Sequence, residues 1–250
     1  MEVPKVNIFG VPISKLNFRE TVEVIVKAAE NGKPHQVITA NPIMVMTALE
    51  RPDYMQMMKR AELIVPDGTG VVWASRYVGN PVAERVPGIE LMQALLEIAQ
   101  ERGWRVYFVG ASPEVIAAAA ANIRERYPKL QLAFRDGYFG EEKDGEVIAD
   151  IREFGPRLLF VGRNVAKQEP WIDRYKHELN VPVMMGVGGS FDVLSGKLKR
   201  APQLFQRLGL EWLYRLLQEP SRFRRMLVLP KFAIKVIREK ENVQKVDFFS

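Results

Sequence analysis

The chain has 250 residues, 47% hydrophobic and 26% charged, which predicts one large globular domain, alone or with an appendage. It has no cysteine, which excludes disulfides, thiolate zinc sites and cysteine nucleophiles. It has only two histidines, which makes a histidine metal site or a Ser-His-Asp triad a poor fit to the sequence. The net charge of +6 is uneven: residues 1–196 carry −2 and residues 197–250 carry +8, so we expect the tail to meet an anionic partner such as nucleic acid, phosphate or a membrane surface.

The N-terminal residues lack the basic and apolar regions of a signal peptide, and no apolar stretch is long enough to span a bilayer. We therefore expect a cytosolic protein, or one held to a membrane face without crossing it. After this start, short apolar runs alternate with longer amphipathic ones. The predicted strands are 36–40, 63–65, 105–109, 130–134, 158–161 and 182–187, and the predicted helices are 18–31, 89–102, 113–126, 141–154 and 167–179.

This alternation predicts an α/β fold, Rossmann-like, with a mostly parallel sheet and helices on both faces. Residues 1–196 would form the catalytic domain and residues 197–250 a helical, basic appendage. In the appendage we predict helices at 204–217 and 231–238, separated by a basic run at 222–225. Lys231, Lys235 and Arg238 lie beside an apolar strip on the last helix, a pattern typical of a helix that lies on a membrane.

Ligands of such sheets bind beyond the carboxyl ends of the strands. Thr39 and Asn41 follow the first strand, Asp67 follows the second, and the Gly188-Gly189 turn follows the last. Asp67 fits either a turn with a capping carboxylate or a general base. The glycine turn, with Asp192 in the next helix, fits either a plain strand-to-helix connection or a phosphate cradle. His35, placed in a loop, and His177, in a helix, are predicted to be exposed and inert.

Nine segments, in this order along the chain, together resemble the WecG/TagA/CpsF glycosyltransferase family. The resemblance covers nearly the whole sequence, and the ordered set is far more specific than any one motif. The segments begin at Thr39 (Thr-Ala-Asn-Pro), Pro66 (Pro-Asp-Gly-Thr-Gly), Glu84 (Glu-Arg-Val-Pro-Gly), Asp136 (Asp-Gly-Tyr-Phe), Lys167 (Lys-Gln-Glu-Pro-Trp), Val187 (Val-Gly-Gly-Ser-Phe-Asp), Arg200 (Arg-Ala-Pro), Gly209 (Gly-Leu-Glu-Trp) and Glu219 (Glu-Pro-Ser-Arg-Phe-Arg-Arg).

The resemblance implies transfer of N-acetylmannosamine from UDP-ManNAc to the 4-hydroxyl of N-acetylglucosamine (GlcNAc) on undecaprenyl diphosphate, in the synthesis of the wall teichoic acid linkage unit. The implied reaction inverts the anomeric centre. No Asp-x-Asp pair stands at a predicted strand end, so the sequence fits a mechanism without a metal, and we expect no cofactor. The reaction would take place at the cytoplasmic face of the plasma membrane, with the appendage as a peripheral anchor.

The resemblance also implies roles for residues of this chain. Asp67 matches the family's proposed base, and Thr39 and Asn41 match a polar pair that holds substrate hydroxyls. The remaining matched residues are implied to bind substrate phosphates, sugar or nucleotide: Arg85, Gln168, Gly188, Gly189, Asp192, Arg215, Arg222 and Arg225.

One segment departs from the family pattern. Where the family usually has a second glycine and a proline after the fifth strand, this chain has Asn164 and Ala166, with Arg163 beside them. Asparagine tolerates a positive φ better than most residues, so the turn could be kept. Because this segment precedes Gln168, its departure from the pattern could change the affinity for the donor and the role of Gln168.

Other readings remain open at this point. The donor could be a UDP-activated mannosamine uronic acid or glucose with the same acceptor. A nucleotide-binding oxidoreductase is disfavoured because the dinucleotide fingerprint is absent from the sequence. A nucleic-acid or membrane-binding module would leave Asp67 unexplained, and we expect no nucleic-acid partner. The apolar strip of the tail could also bury against a second subunit, giving a homo-oligomer in solution.

Overall fold

The computed structural model describes residues 3–245 and places two sheets in that range. A small antiparallel hairpin comes first, and six parallel strands form the central sheet. The hairpin is β1 (Lys5–Ile8) and β2 (Val11–Ser14); the central strands are β3 (His35–Ala40), β4 (Leu63–Pro66), β5 (Arg105–Gly110), β6 (Gln131–Arg135), β7 (Leu158–Gly162) and β8 (Val183–Gly186). Their order across the sheet is β4-β3-β8-β7-β5-β6.

Helices connect the strands of residues 3–196, which we call the body, and then form the appendage that follows it. In the body they are α1 (Phe18–Asn31), α2 (Pro42–Glu50), α3 (Pro52–Arg60), α4 (Thr69–Tyr77), α5 (Gly88–Glu101), α6 (Pro113–Arg126), α7 (Asp144–Phe154), α8 (Val165–Leu179) and α9 (Ser190–Leu194). In the appendage they are α10 (Gln203–Arg207), α11 (Glu211–Gln218), α12 (Phe223–Met226) and α13 (Val228–Arg238). Single 3-10 turns lie at Glu141–Lys143 and Pro220–Arg222.

Apolar side chains cover both faces of the central sheet, as its parallel strands require. On β3, Val37 packs into the cluster beneath α1, α5 and α6, whereas Ile38 packs into the opposite cluster with α2, α3 and α4. On β5, Phe108 and Tyr107 are divided between the two faces in the same way. The predicted α/β architecture with helices on both faces is confirmed, and all six predicted strands are present within one or two residues of their predicted bounds.

The last helix anchors the appendage in the core of the body. Phe232 and Val236 of α13 are buried with α2 and α4, and the Phe232 ring meets Phe9 edge-on with centroids 6.3 Å apart. Beyond the helix, the Val243 carbonyl accepts a hydrogen bond from the Phe9 amide at 2.6 Å. In contrast, α10, α11 and α12 have no buried residues. These three helices therefore lie over the body without entering its core.

Several sequence expectations need correction. The predicted helix 204–217 is two helices, because Gly209 between them has φ +71° and packs against Thr69. The segment 141–154 begins with a 3-10 turn, so its α-helix starts at Asp144. His35 begins β3 and is not in a loop, whereas His177 is exposed on α8 as expected. The hairpin and helices α2, α3 and α4 were not predicted at all.

Candidate active site

All six strands of the central sheet end at one polar cavity of about 880 Å³. Parallel strands bring their carboxyl ends to the same edge, so residues far apart in sequence meet there. The cavity is lined at β3 and β4 by Thr39, Asn41 and Asp67, at β5 and β6 by Ala111, Ser112 and Gly137, and at β7 and β8 by Arg163, Asn164, Gly188 and Gly189.

A second cavity, of about 340 Å³, opens beside the first and has a more apolar wall. Its apolar residues come from α2, α4, α5, the neighbouring loops and the appendage, and they include Trp73, Ile89, Trp212, Leu229 and Phe232. The two cavities share a common boundary formed by Thr39, Asn41, Asp67, Val187, Arg215, Arg222 and Arg225. The structure thus brings the predicted base, its polar neighbours and the three appendage arginines to one place, where two differently lined spaces meet.

Asp67 lies just beyond β4, and its side chain, which lines both cavities, is 29% exposed. Burial raises the pKa of Asp67 above its ordinary value, and the charges of Arg85 and Arg215 only partly offset that effect. A raised pKa makes the carboxylate a better proton acceptor. Its position at the boundary of both cavities lets it meet a group bound in either one.

Arg85 joins Asp67 to the appendage. Its Nη2 lies 3.3 Å from an Asp67 carboxylate oxygen and 2.8 Å from Glu211 Oε2, and its Nε donates to the Asp67 carbonyl. Burial would raise the pKa of Glu211, but the hydrogen bond and charge of Arg85, together with the charges of Arg200 and Arg215, bring it below its ordinary value. Glu211 was missed by the sequence reasoning, since 126 residues separate it from Arg85 and no spacing rule joins them. The implied contact of Arg85 with a phosphate or sugar stays a prediction.

Thr39 and Asn41 each make side-chain hydrogen bonds to the protein backbone. The Thr39 hydroxyl donates weakly to the Gly186 carbonyl at 3.4 Å. Asn41 is the N-cap of α2, where its Oδ1 accepts from the amides of Ile43 and Met44 at 3.0 and 3.2 Å. The Asn41 side chain is thereby held rigidly, and its Nδ2 has no partner among the residues that the structure describes. That amide is available to a bound hydroxyl.

Gln168 and the glycine turn after β8 are joined by a hydrogen bond. Gln168 Oε1 accepts from the Gly188 amide at 3.1 Å, which fixes the start of the turn. Gly188 has φ +51°, a conformation that favours glycine. Asp192 follows in the first turn of α9 and lies 3.6 Å from the Lys197 ammonium. The four predicted residues of this region therefore do gather on one wall of the polar cavity.

Arg215, Arg222 and Arg225 project from the appendage to the boundary of the two cavities. Arg222 pairs with Glu219 at 2.7 Å, while Arg215 and Arg225 have no ion pair within residues 3–245. Burial lowers the pKa of Arg225, and the neighbouring charges of Arg222 and Arg215 lower it further. Three guanidinium groups held together with one carboxylate partner form a site suited to a diphosphate.

The segment that departs from the family pattern still delivers Gln168 to the cavity. Asn164 is not among the described residues with positive φ, and its carbonyl accepts from the amides of Lys167 and Gln168 at the start of α8. Arg163 lies over the Phe139 ring, 4.1 Å from its centroid, and donates to the Phe139 carbonyl at 2.7 Å. Its charge is thus held against the wall of the cavity. In the described part of the chain, no group of three or more His, Cys, Asp and Glu is placed to hold a metal ion.

A family model and several known proteins match this chain over nearly its whole length. The sequence model of the Glycosyl transferase WecG/TagA/CpsF family matches residues 6–245. Proteins named N-acetylglucosaminyldiphosphoundecaprenol N-acetyl-beta-D-mannosaminyltransferase from Staphylococcus aureus strains MW2, NCTC 8325 / PS 47 and MRSA252 are each 39% identical to this chain over 243 residues. Each of these alignments covers 96% of this chain and 95% of the relative.

Glu169, the residue after Gln168, is a fully buried carboxylate beside the polar cavity. Burial raises its pKa to about 7, against an ordinary value of 4.5, and the hydrogen bonds from Gln36 and Gln168 only partly oppose this rise. The folded chain therefore holds the proton of Glu169 more tightly than the unfolded chain. The resulting contribution to stability is complete below pH 4.5 and is lost as the pH rises to about 7.

Glu169→Gln, which does not titrate, should gain stability relative to the unsubstituted protein as the pH rises from 5 to 8, by about 2 to 3 kcal/mol for a folded-state pKa of about 7. Urea unfolding at both pH values measures the difference. The same substitution at exposed Glu50 is the control for removing a carboxylate from this chain. A difference between the two proteins that stays constant across this range would contradict the prediction.

Proposed function

The chain belongs to the WecG/TagA/CpsF family of glycosyltransferases, and from this premise we propose that it moves N-acetylmannosamine from UDP-ManNAc to GlcNAc on undecaprenyl diphosphate. The proposed product is β-1,4-linked and belongs to the linkage unit of wall teichoic acid. The observation that carries the proposal is the meeting of a polar and an apolar cavity at Asp67, because this reaction joins a polar nucleotide sugar to a lipid-linked sugar.

The polar cavity suits the donor. The turn at Gly188 and Gly189 exposes backbone close to Arg222: a Cβ at position 189 would lie 3.8 Å from Arg222 Nη2. A diphosphate between this turn and the three appendage arginines would receive backbone and guanidinium hydrogen bonds together. Gln168 and Asp192 on the same wall would then contact the sugar or the ribose of the donor.

The apolar cavity suits the acceptor. Trp73 and Trp212 provide flat apolar surfaces of the kind on which sugar rings and isoprene units pack, and Ile89, Leu229 and Phe232 continue the wall. A GlcNAc at the boundary would place its 4-hydroxyl near Asp67, with the lipid leaving past α13. The polar amide of Asn41 and the hydroxyl of Thr39 would hold hydroxyls of the two sugars.

The proposed chemistry is a single displacement that inverts the anomeric centre. The acceptor 4-oxygen forms a bond to the donor anomeric carbon while the bond from that carbon to the diphosphate oxygen breaks. The acceptor proton passes to Asp67, and the electron pair of the broken bond stays on UDP. Burial has already made Asp67 a better base, and Arg215, Arg222 and Arg225 would neutralise the departing diphosphate, so the proposed mechanism needs no metal ion.

Transfer assayed against a panel of UDP-sugars with a GlcNAc-diphosphate lipid acceptor tests this function. We expect UDP-ManNAc to give product and UDP-glucose or the mannosamine uronic acid to give less than about a tenth of that rate, the scale that one well-placed polar contact supports. A preference for another UDP-sugar would change the donor and keep the reaction class. Failure of every UDP-sugar, with protection of the protein by NAD instead, would remove the glycosyltransferase proposal.

Asp67→Asn should lower the transfer rate by about 100-fold or more, the usual loss when a general base is removed. Calorimetric titration should still give a UDP affinity within about threefold of the unsubstituted enzyme, because the carboxamide keeps the size of the side chain. Asp173→Asn, whose carboxylate pairs with Arg60 and lines neither cavity, is the matched control and should transfer normally. Near-normal transfer by Asp67→Asn would exclude Asp67 as the base.

We further propose that the appendage holds the enzyme on an anionic membrane, as a peripheral protein on the inner face of the plasma membrane. Support comes from its exposed apolar side chains: Leu204, Leu208, Trp212, Leu217, Phe223, Leu227, Ile234 and Ile237. Lys231 and Arg238 are exposed beside them on α13, whereas Lys235 is half-buried, pairs with Glu239 and lies over the Phe9 ring. Within residues 3–245, no helix is long and apolar enough to cross a bilayer.

Reversing two charges, Lys231→Glu with Arg238→Glu, should weaken binding to vesicles containing phosphatidylglycerol by at least about tenfold, because each basic residue near such a surface contributes about 1 kcal/mol. Co-sedimentation at low salt measures the binding, and 0.5 M salt should reduce it for the unsubstituted enzyme. The matched control reverses two exposed lysines of the body, Lys27→Glu with Lys129→Glu. Equal loss in both pairs would mean that net charge, and not the appendage, determines binding.

A further inference from the structure

Glu169 is a buried titratable group that the proposed chemistry does not use. Its carboxylate has no exposed surface, and no lysine, arginine or histidine of the described chain forms an ion pair with it. Its two oxygens accept from two side-chain amides instead: Oε2 from Gln36 Nε2 and Oε1 from Gln168 Nε2, each at 2.9 Å. A buried carboxylate without a cation destabilises a fold. Its presence one residue after Gln168 therefore calls for an explanation beyond packing.

The bond to Gln168 has a consequence inside the cavity. With its Nε2 directed at Glu169, the Gln168 amide must present Oε1 on its other side, where it accepts from the Gly188 amide at 3.1 Å. The opposite orientation would set the Gln168 oxygen against the carboxylate and its NH₂ group against the Gly188 N–H. Glu169 thus selects the one amide orientation that fixes the glycine turn.

The end of β8 is built around this contact. A Cβ at Gly186 would lie 1.9 Å from Glu169 Oε1 and 2.6 Å from Gln168 Nε2. Only glycine allows the carboxylate and the amide to approach the strand this closely. Two residues later the same strand becomes the turn that receives Gln168, so strand, carboxylate and amide form one connected unit beneath the cavity.

The hydrogen bond from Gln36 to Glu169 does not connect to either cavity. Gln36 is fully buried on β3, and its Nε2 also lies 3.2 Å from the Glu169 carbonyl. Its Oε1 is buried and has no hydrogen-bond partner among residues 3–245, so the Gln36 amide can offer that oxygen as an acceptor by turning over, which gives up the 3.2 Å contact with the Glu169 carbonyl. Gln36 lines neither cavity. The cluster therefore contains one branch that reaches the glycine turn and one that does not.

We propose that Glu169 is a positioning residue for the nucleotide: it orients the Gln168 amide and, through it, holds the Gly188-Gly189 turn in the shape that receives a nucleoside diphosphate. This inference rests on the proposed function, because that function puts the donor diphosphate at this turn. Glu169 itself touches no substrate. Its contribution belongs to donor binding, and little of it belongs to the chemical step.

The two branches provide the test. Glu169→Met keeps the length of the side chain and removes both acceptors, whereas Gln36→Met applies the same kind of change to the branch that does not reach the turn. Calorimetric titration with UDP, with KM for the UDP-sugar and kcat where transfer is assayed, is the measurement. We expect Glu169→Met to weaken UDP binding about tenfold and to raise KM similarly, with kcat within about threefold. Gln36→Met should bind UDP within about twofold of the unsubstituted enzyme.

Rescue by the conservative variant separates positioning from charge. In Glu169→Gln, the new Oε1 can still accept from Gln168, and the Gln36 amide can turn its free oxygen toward the new NH₂ group. We therefore expect UDP affinity within about twofold of the unsubstituted enzyme. If Glu169→Met is recovered unfolded, Glu169→Asp, which withdraws the carboxylate by one methylene from Gln168, should show the same loss of about tenfold.

Unchanged UDP affinity in Glu169→Met would overturn the inference, as would unchanged affinity in Glu169→Asp if Glu169→Met is unfolded. Equal losses of UDP affinity and melting temperature in Glu169→Met and Gln36→Met would also overturn it, because they would indicate a purely structural role. Titration with UDP needs no transfer, so the two proposals fail separately. An enzyme that binds UDP but transfers no sugar would overturn the proposed function, while unchanged UDP affinity in the Glu169 variants would overturn the positioning role.

Discussion

The bridge made by Arg85 between Asp67 and Glu211 is the interaction on which the arrangement of the site depends. One guanidinium group contacts a carboxylate at the end of β4 and a carboxylate on the first turn of α11, so it connects the body to the appendage at the point where the two cavities meet. Without this bridge, Asp67 and Glu211 would both be acidic groups crowded into a poorly solvated space. With it, the appendage has a defined position over Asp67, and Arg215 follows one turn after Glu211 on the same helix.

The appendage is held by contacts of two different kinds. Phe232 and Val236 enter the core and fix α13 in the way that any buried helix is fixed. The helices before it have no buried residue and are positioned by polar contacts such as the Arg85 bridge. The arginines that line both cavities therefore sit on the less firmly packed part of the appendage, next to a firmly packed helix. The proposed membrane contact would involve exposed side chains from both parts.

The central sheet and one edge of the site could be predicted from the sequence, because buried strands show as short apolar runs and the carboxyl ends of parallel strands meet at one edge. Thr39, Asp67 and the glycine turn were placed at one edge simply because each follows a buried apolar run. What escaped prediction depends on tertiary contacts. Glu211 is an ordinary acidic residue until the fold brings Arg85 to it, and Glu169 gives no sign in the sequence of its complete burial. The break at Gly209 was missed because the apolar spacing continues through it; the positive φ of Gly209 and its contact with Thr69 show that the chain turns there.

The crowding of Arg215, Arg222 and Arg225 has a further consequence for the life of the enzyme. Their mutual repulsion destabilises the arrangement, and an anion that binds there and relieves it stabilises the folded state by an amount that rises with the logarithm of the free anion concentration above its Kd. If the diphosphate binds there as proposed, the nucleotide is also a folding ligand for the appendage. The enzyme would then be least stable in the interval between release of UDP and arrival of the next donor, so its lifetime in the cell would follow the supply of its own substrate.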